Sequence, residues 1–205
     1  MIDAKFFRLA DVVGVQAGYP FRGSVEPADT GDAIALQMKD VDPDSGVDWA
    51  GALRTHLPGR KSPAWLSPGD LLFVAKGARF YAVQVDAPPM PAVCGPAFFH
   101  LRVHPGAAIE PAFLAWQINQ PPIQRLLMQG AEGSGQLSIR RPVLEALPLA
   151  VPSLAQQRHI VALDAAARSE RAALRRLIEN REQQLHALAE ALAMASARNS
   201  TPANS

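Results

Sequence analysis

With 205 residues, 48% of them apolar, the chain can bury a sizeable core, either in one domain with an appended element or in two small ones. Its 20 basic and 19 acidic residues leave a net charge of +1, which excludes a strongly basic field over the whole molecule, so any nucleic-acid contact must rest on local charge or on a partner. No run of about 18 apolar residues marks a membrane span, Met1–Lys5 leads into no signal region, and the lone Cys94 supports neither an internal disulfide nor a four-ligand zinc site; a reducing cytoplasm is the expected compartment.

The first 150 residues are dense in Pro and Gly, with short apolar runs between turn signals. Residues 33–38 (AIALQM), 71–75 (LLFVA), 80–85 (FYAVQV) and 98–103 (FFHLRV) read as strands. Pro111 opens a helix through Ile118, with proline at a position that needs no amide hydrogen, and a second short helix is predicted from Pro122 to Met128. The pattern predicts an α+β fold, a small mixed domain over 1–150 built on a curled sheet of short strands.

Residues 151–205 contain two prolines, Pro152 and Pro202, and no glycine. Rich in Ala, Leu, Arg, Gln and Glu, this part predicts one long helix from about Leu154 to Ala197, roughly 60 Å at 1.5 Å per residue. Within the appended segment 151–198, apolar residues Ile160, Leu163, Ala167, Leu174, Ile178, Leu185, Leu188 and Leu192 recur mostly at steps of three, four or seven, a coiled-coil-like seam interrupted by Arg181 with Glu170 near it. So long a helix cannot cover its stripe against a 150-residue globule along its whole length, which predicts self-association or a partner helix. The tail 199–205 is expected to be disordered.

Several segments, in order, resemble the target-recognition domain and conserved helix of type I restriction-modification specificity subunits. Gly18-Tyr19-Pro20-Phe21-Arg22 is similar to the family's early turn, and residues 34–40 (IALQMKD) to its first strand. Residues 68–77 (PGDLLFVAKG) resemble its Gly-Asp-Ile-Leu-Phe segment and closing glycine, and Pro111-Ala112-Phe113-Leu114 its Pro-x-Tyr-Leu helix start. Residues 133–139 (GSGQLSI) resemble the loop and strand before the exit. Residues 147–161 (LPLAVPSLAQQRHIV) resemble the Leu-Pro-x-Pro-x-x-Glu-Gln-x-x-Ile lead into the helix, and are the most specific piece. Gln156 stands where the family usually has Glu, and the chain carries one recognition domain and one helix where the family's full-length subunits carry two of each.

The resemblance implies a non-catalytic DNA-specificity subunit. One domain reads one half-site; two copies pair through their helices, a homodimer reading a bipartite site with the helices as spacer. It further implies an adenine methyltransferase partner, with S-adenosylmethionine bound there and no cofactor in this chain, and an endonuclease-translocase subunit able to join. Base reading needs exposed donors and acceptors on loops, which makes Arg22, Lys39, Lys76, Arg79, Arg140 and Arg141 candidates, each of which could equally be a solvated surface cation. Ser134 and Gln136 join them, because the Gly133–Gln136 loop can offer backbone N–H groups to a phosphate. The dimerisation set is Ile160, Leu163, Leu174, Ile178, Leu185, Leu188 and Leu192.

Other constellations carry less. Cys94, His100 and His104 lie close in sequence, but a packed cysteine and surface histidines are the simpler reading than a nucleophile pair. Asp40, Asp42, Asp44 and Asp48 fail as a calcium loop because Gly51 occupies the twelfth position. Trp116 reads as helix core, and Trp65 as packed under the Pro-Gly turn. Two competing functions remain: a stand-alone dimeric DNA-binding regulator, and a coiled-coil adaptor without nucleic acid, which the near-neutral charge favours.

Overall fold

The computed structural model describes residues 4–21, 23–57 and 63–199, with side chains as far as 194. Arg22 and the expected tail beyond Asn199 lie outside the described residues. The chain divides into two compact units, Met1–Val161 and Ala162–Ser205. No helix among the described residues is long and apolar enough to cross a membrane.

The elements follow in chain order: β1 (Ala4–Arg8), α1 (Leu9–Val12), β2 (Val13–Ala17), β3 (Ala33–Leu36), β4 (Val41–Asp42), β5 (Gly46–Val47), β6 (Leu53–Thr55), β7 (Leu71–Val74), β8 (Tyr81–Gln84), β9 (Ala92–Cys94), β10 (Phe98–Val103), α2 (Pro111–Ile118), α3 (Pro121–Gly130), α4 (Arg141–Glu145), β11 (Pro148–Pro152) and α5 (Leu154–Asn199). The predicted α+β class holds. The expected strand at 33–38 is shorter, because Met38–Asp40 turns into a 3-10 helix capped by Asp40, whose carboxylate accepts the Gln37 N–H at 2.8 Å.

A four-stranded antiparallel sheet, ordered β2-β10-β7-β8, forms the frame of the first unit. A three-stranded sheet, β6-β3-β9, lies beside it, with β3 and β9 parallel. Strand β7 explains why its sequence is apolar without alternation. Leu71, Phe73 and Ala75 enter one core with Phe113, Leu114 and Ile118, whereas Leu72 and Val74 enter another with Ile34, Leu36 and Cys94. Successive side chains point to opposite faces of a strand, and here both faces are covered.

Strand β1 pairs antiparallel with β11, in register from Ala4 opposite Pro152 to Arg8 opposite Pro148. The next step is the start of α5. Ser153 and Gln156 close a capping box: the Gln156 Oε1 accepts the Ser153 N–H at 3.2 Å, and the Ser153 Oγ accepts the Gln156 N–H at 3.4 Å. Gln157, 0% exposed, accepts the Glu110 N–H at 2.8 Å and donates to the carbonyls of Ala108 at 2.9 Å and Pro152 at 2.8 Å. It satisfies three backbone groups at once and fastens the first turn of α5 to the loop before α2.

Candidate nucleic-acid interface

The turn joining β7 to β8 is built on Gly77, whose φ of +120° is a conformation glycine adopts without strain. That turn is bridged to the Gly-rich loop. The Gly77 N–H donates to the Leu137 carbonyl at 3.0 Å, the Ile139 N–H to the Ala75 carbonyl at 2.8 Å, and Lys76 forms an antiparallel bridge with Ser138. The loop closes on itself where Glu132 and Ser138 exchange backbone hydrogen bonds at 3.0 and 2.8 Å. Gly133 is required in it: φ is +121°, and a Cβ there would stand 2.3 Å from the Gln136 carbonyl oxygen. Ser134, Gly135 and Gln136 are left exposed at the tip.

Lys76, Arg79, Ser134, Gln136 and Arg140 are therefore brought to neighbouring loops at one end of β7. Their charges are not equally available. Arg140 is ion-paired with Glu132, Arg141 pairs with Glu145 at 2.7 Å, and Lys39 donates to Asp40 at 2.6 Å and to the Gly51 carbonyl at 3.2 Å. Lys76 is exposed and holds no ion pair among the described residues. Arg79 lies over the Tyr81 ring, 5.9 Å from its centroid, a cation–π contact that uses none of the guanidinium N–H donors. The Tyr81 hydroxyl in turn donates to the Val41 carbonyl at 3.0 Å, tying the β4–β5 hairpin to the same end. Burial alone would raise the Asp42 pKa, but the backbone N–H groups of Ser45 and Asp44, the Ser45 hydroxyl and the Arg79 charge outweigh it and hold the pKa below the ordinary value.

The acidic run resolves into turn chemistry. Asp42 accepts from the Asp44 and Ser45 amides at 2.9 and 3.0 Å, and Asp48 from those of Ala50 and Gly51 at 3.1 Å each. Among the described residues no three His, Cys, Asp or Glu side chains are arranged to hold a metal. Trp116 packs against the helical core with its ring 5.4 Å from Phe113, as expected, and Trp65 is 39% exposed.

At the opposite end of β7 is a cluster that the sequence reading missed. Asp70 and His100 are each 3% exposed, so the expectation of a surface histidine at 100 is corrected; His104 is exposed. Asp70 accepts from His100 Nε2 at 2.7 Å, from Arg102 Nε and Nη2 at 2.7 and 2.6 Å, and from the Ser67 N–H at 2.7 Å. A carboxylate only accepts, so Nε2 carries the imidazole proton. Burial would raise the Asp70 pKa, but Arg102, His100 and the Ser67 amide together hold it down at about 2. The available signal was register: His100 and Arg102 fall two apart on β10, which runs antiparallel to β7 with Leu101 opposite Leu71, next to Asp70. Cys94 is buried nearby and its thiol is pushed up to about 12, chiefly by burial, which keeps it protonated and inert as a nucleophile.

A four-stranded antiparallel sheet with short helices, leading through one strand into a long helix, defines the α+β architecture. No protein-family model matches the sequence, and no curated protein matches it either. Solved structures match the fold. A structure describing complex assembly and conformational transition of the type I restriction-modification system matches at TM-score 0.68 and 19% identity, over 92% of this chain and 44% of that one. The HsdS subunit from Thermoanaerobacter tengcongensis matches at TM-score 0.59 and 19% identity, over 84% of this chain and 39% of that one. The S subunit of a type I system from M. genitalium matches at 0.51 and 12%, over 79% and 38%. The chain thus has the fold of type I specificity subunits and spans less than half the length of each of these structures.

Proposed function

We propose that this chain is a non-catalytic DNA-reading module of a type I-like restriction-modification complex. The observation that carries the proposal is the pairing of that fold with the joined Lys76–Arg79 turn and Ser134–Gln136 tip, which offers cations and backbone donors on one surface. The module reads one half-site. A second copy, joined through the exposed seam of α5, supplies the other half of a bipartite site. An adenine methyltransferase subunit, holding S-adenosylmethionine, performs the chemistry, and an endonuclease-translocase subunit completes the restriction complex.

The direct test is co-purification with an adenine methyltransferase encoded beside this chain, followed by mapping of methylated adenines with and without it. An interrupted motif that vanishes on deletion supports the proposal; an unchanged pattern with no methyltransferase bound overturns it. Titration against duplex DNA adds a graded check. Lys76→Ala and Arg79→Ala are each expected to weaken binding about equally across sequences and to reduce the slope of log affinity against log salt by about 1. Arg140→Ala should change both less, because Glu132 already offsets that charge. The ion-pairing of Lys39, Arg140 and Arg141 favours one second reading, an adaptor that binds no nucleic acid; it predicts no salt-dependent DNA affinity at all.

A further inference from the structure

Helix α3 turns Ile123 and Leu127 into the core. Its other side lines a shallow concavity of about 460 Å³ bounded by Asn119, Pro121, Gln124, Arg125, Met128 and Gln129. Two of these side chains are committed to local structure. The Asn119 side chain accepts the Ala82 N–H and donates to the Ala82 carbonyl, both at 2.8 Å, and Gln124 donates to the Ile118 carbonyl at 2.8 Å. Arg125 and Gln129 hold no hydrogen bond or ion pair among the described residues, and Met128 beside them is 50% exposed.

The helix is also fixed at both ends to the β7–β8 hairpin. Asn119 fastens its start to Ala82, while Glu132, just past its end, pairs with Ser138, which bridges Lys76. The two ends of α3 are therefore tied to the β7–β8 hairpin and to the Gly-rich loop. From Pro111 to Ala131 the chain contains no Asp or Glu, so α3 itself places no acid on this face.

We infer that the outward face of α3 is a base-reading surface for duplex DNA, with Arg125 and Gln129 as specificity-determining side chains. The inference rests on the DNA-reading function proposed above and adds the element that reads. A major groove admits an α-helix, and ten residues at 1.5 Å each extend about 15 Å along it. Residues four apart stand one above the other on a helix face, so Arg125 and Gln129 reach successive base pairs. A guanidinium matches the two acceptors of guanine, and a carboxamide matches the acceptor and donor of adenine. Met128 supplies the apolar contact that a thymine methyl group takes.

The test is selection from a randomised duplex library with the full-length chain, alone and with its co-purified methyltransferase, using wild type, Arg125→Ala, Gln129→Ala and the double variant. Both sites are exposed on a helix for which alanine is a good former, so the variants are expected to melt like wild type. The expected result is a motif that loses its preference at one base position per substitution, by about tenfold, with the remaining positions retained. A wild-type motif kept unchanged by the double variant overturns the role of α3 and leaves DNA reading intact. The same unchanged motif together with loss of the methyltransferase would make α3 a protein-docking face, and also overturns it. A wild type that enriches no motif under either condition overturns both readings.

Discussion

Asp70→Ala is expected to destabilise the first unit by about 3–5 kcal/mol, because it removes the anion from a buried, fully hydrogen-bonded cluster and strands its partners. The Nε2–H of His100 and the N–H of Ser67 lose their acceptor, and His100 already has a buried Nδ1 with no partner. Arg102 keeps only the Trp65 carbonyl at 3.0 Å and the Ser67 hydroxyl at 3.2 Å. For a chain of this size the loss should lower the Tm by about 10 °C or more. Acid should do the same gradually. The folded-state pKa of about 2 lies below the ordinary 3.8, so the stabilisation is complete above the ordinary value and is lost as pH falls through 4 towards 2. Its size is about 2 kcal/mol. Thermal melts of wild type, Asp70→Ala and Asp70→Asn between pH 2 and 6 check both statements: the variants should melt lower at pH 6 and show a flatter acid limb. Equal Tm values at pH 6 would show that the cluster contributes nothing net.

The second large effect is expected on α5. Leu163, Leu174, Ile178, Leu185, Leu188 and Leu192 are 53–70% exposed in the single chain, whereas Ile160 is half-buried against the helical core of the first unit. From Leu174 the seam runs Leu174, Ile178, Arg181, Leu185, Leu188, Leu192 at alternating steps of four and three, the spacing of a coiled-coil core. Arg181 is the break in it, and its guanidinium donates to Gln184 at 3.0 Å. Each fully buried leucine contributes about 1.5–3 kcal/mol. Leu185→Glu with Leu188→Glu alters four such side chains in a pair of copies, and is expected to weaken self-association at least a thousandfold, on the order of 4 kcal/mol. Sedimentation at micromolar concentration should find wild type as a dimer and the double variant as a monomer, with the first unit's melting unchanged. A wild type already monomeric with its helix formed would overturn pairing through this seam.

How much was legible beforehand depended on where the information lay. Helices α2 and α5 were readable because Pro111 is a local start signal, and because α5 is rich in helix formers and its seam is periodic. Strand β10 was readable from its apolar run. Strands β1 and β2 were missed: Lys5-Phe6-Phe7-Arg8 is short and flanked by charge, and its partner β11 lies about 140 residues further along the chain. The buried state of His100 was not legible either, since a histidine on a strand carries no mark of the acid that will face it; that acid arrives with a different strand. Among the proposed interface residues, the turn and loop could each be picked from their glycines. Their contact through Lys76 and Ser138 could not, because a bridge between distant segments has no local signature. Helix α3 was anticipated as a helix, but its acid-free outward face gained meaning only once both its ends were seen fastened to the β7–β8 hairpin.

The β1–β11 ladder has a consequence for how such a module changes hands. Because Ala4 sits opposite Pro152, the polypeptide passes into and out of the first unit's sheets through two adjacent strands, like a drawer with a single handle. Both cores and the two joined loops, Lys76–Arg79 and Gly133–Gln136, lie between these two strands in the chain. A unit attached in this way can be exchanged whole between longer proteins without disturbing what lies on either side, as domain insertions at closely spaced ends generally permit. Recombination at two short stretches of backbone then moves every loop of the unit together, a faster route to a new surface than one substitution at a time.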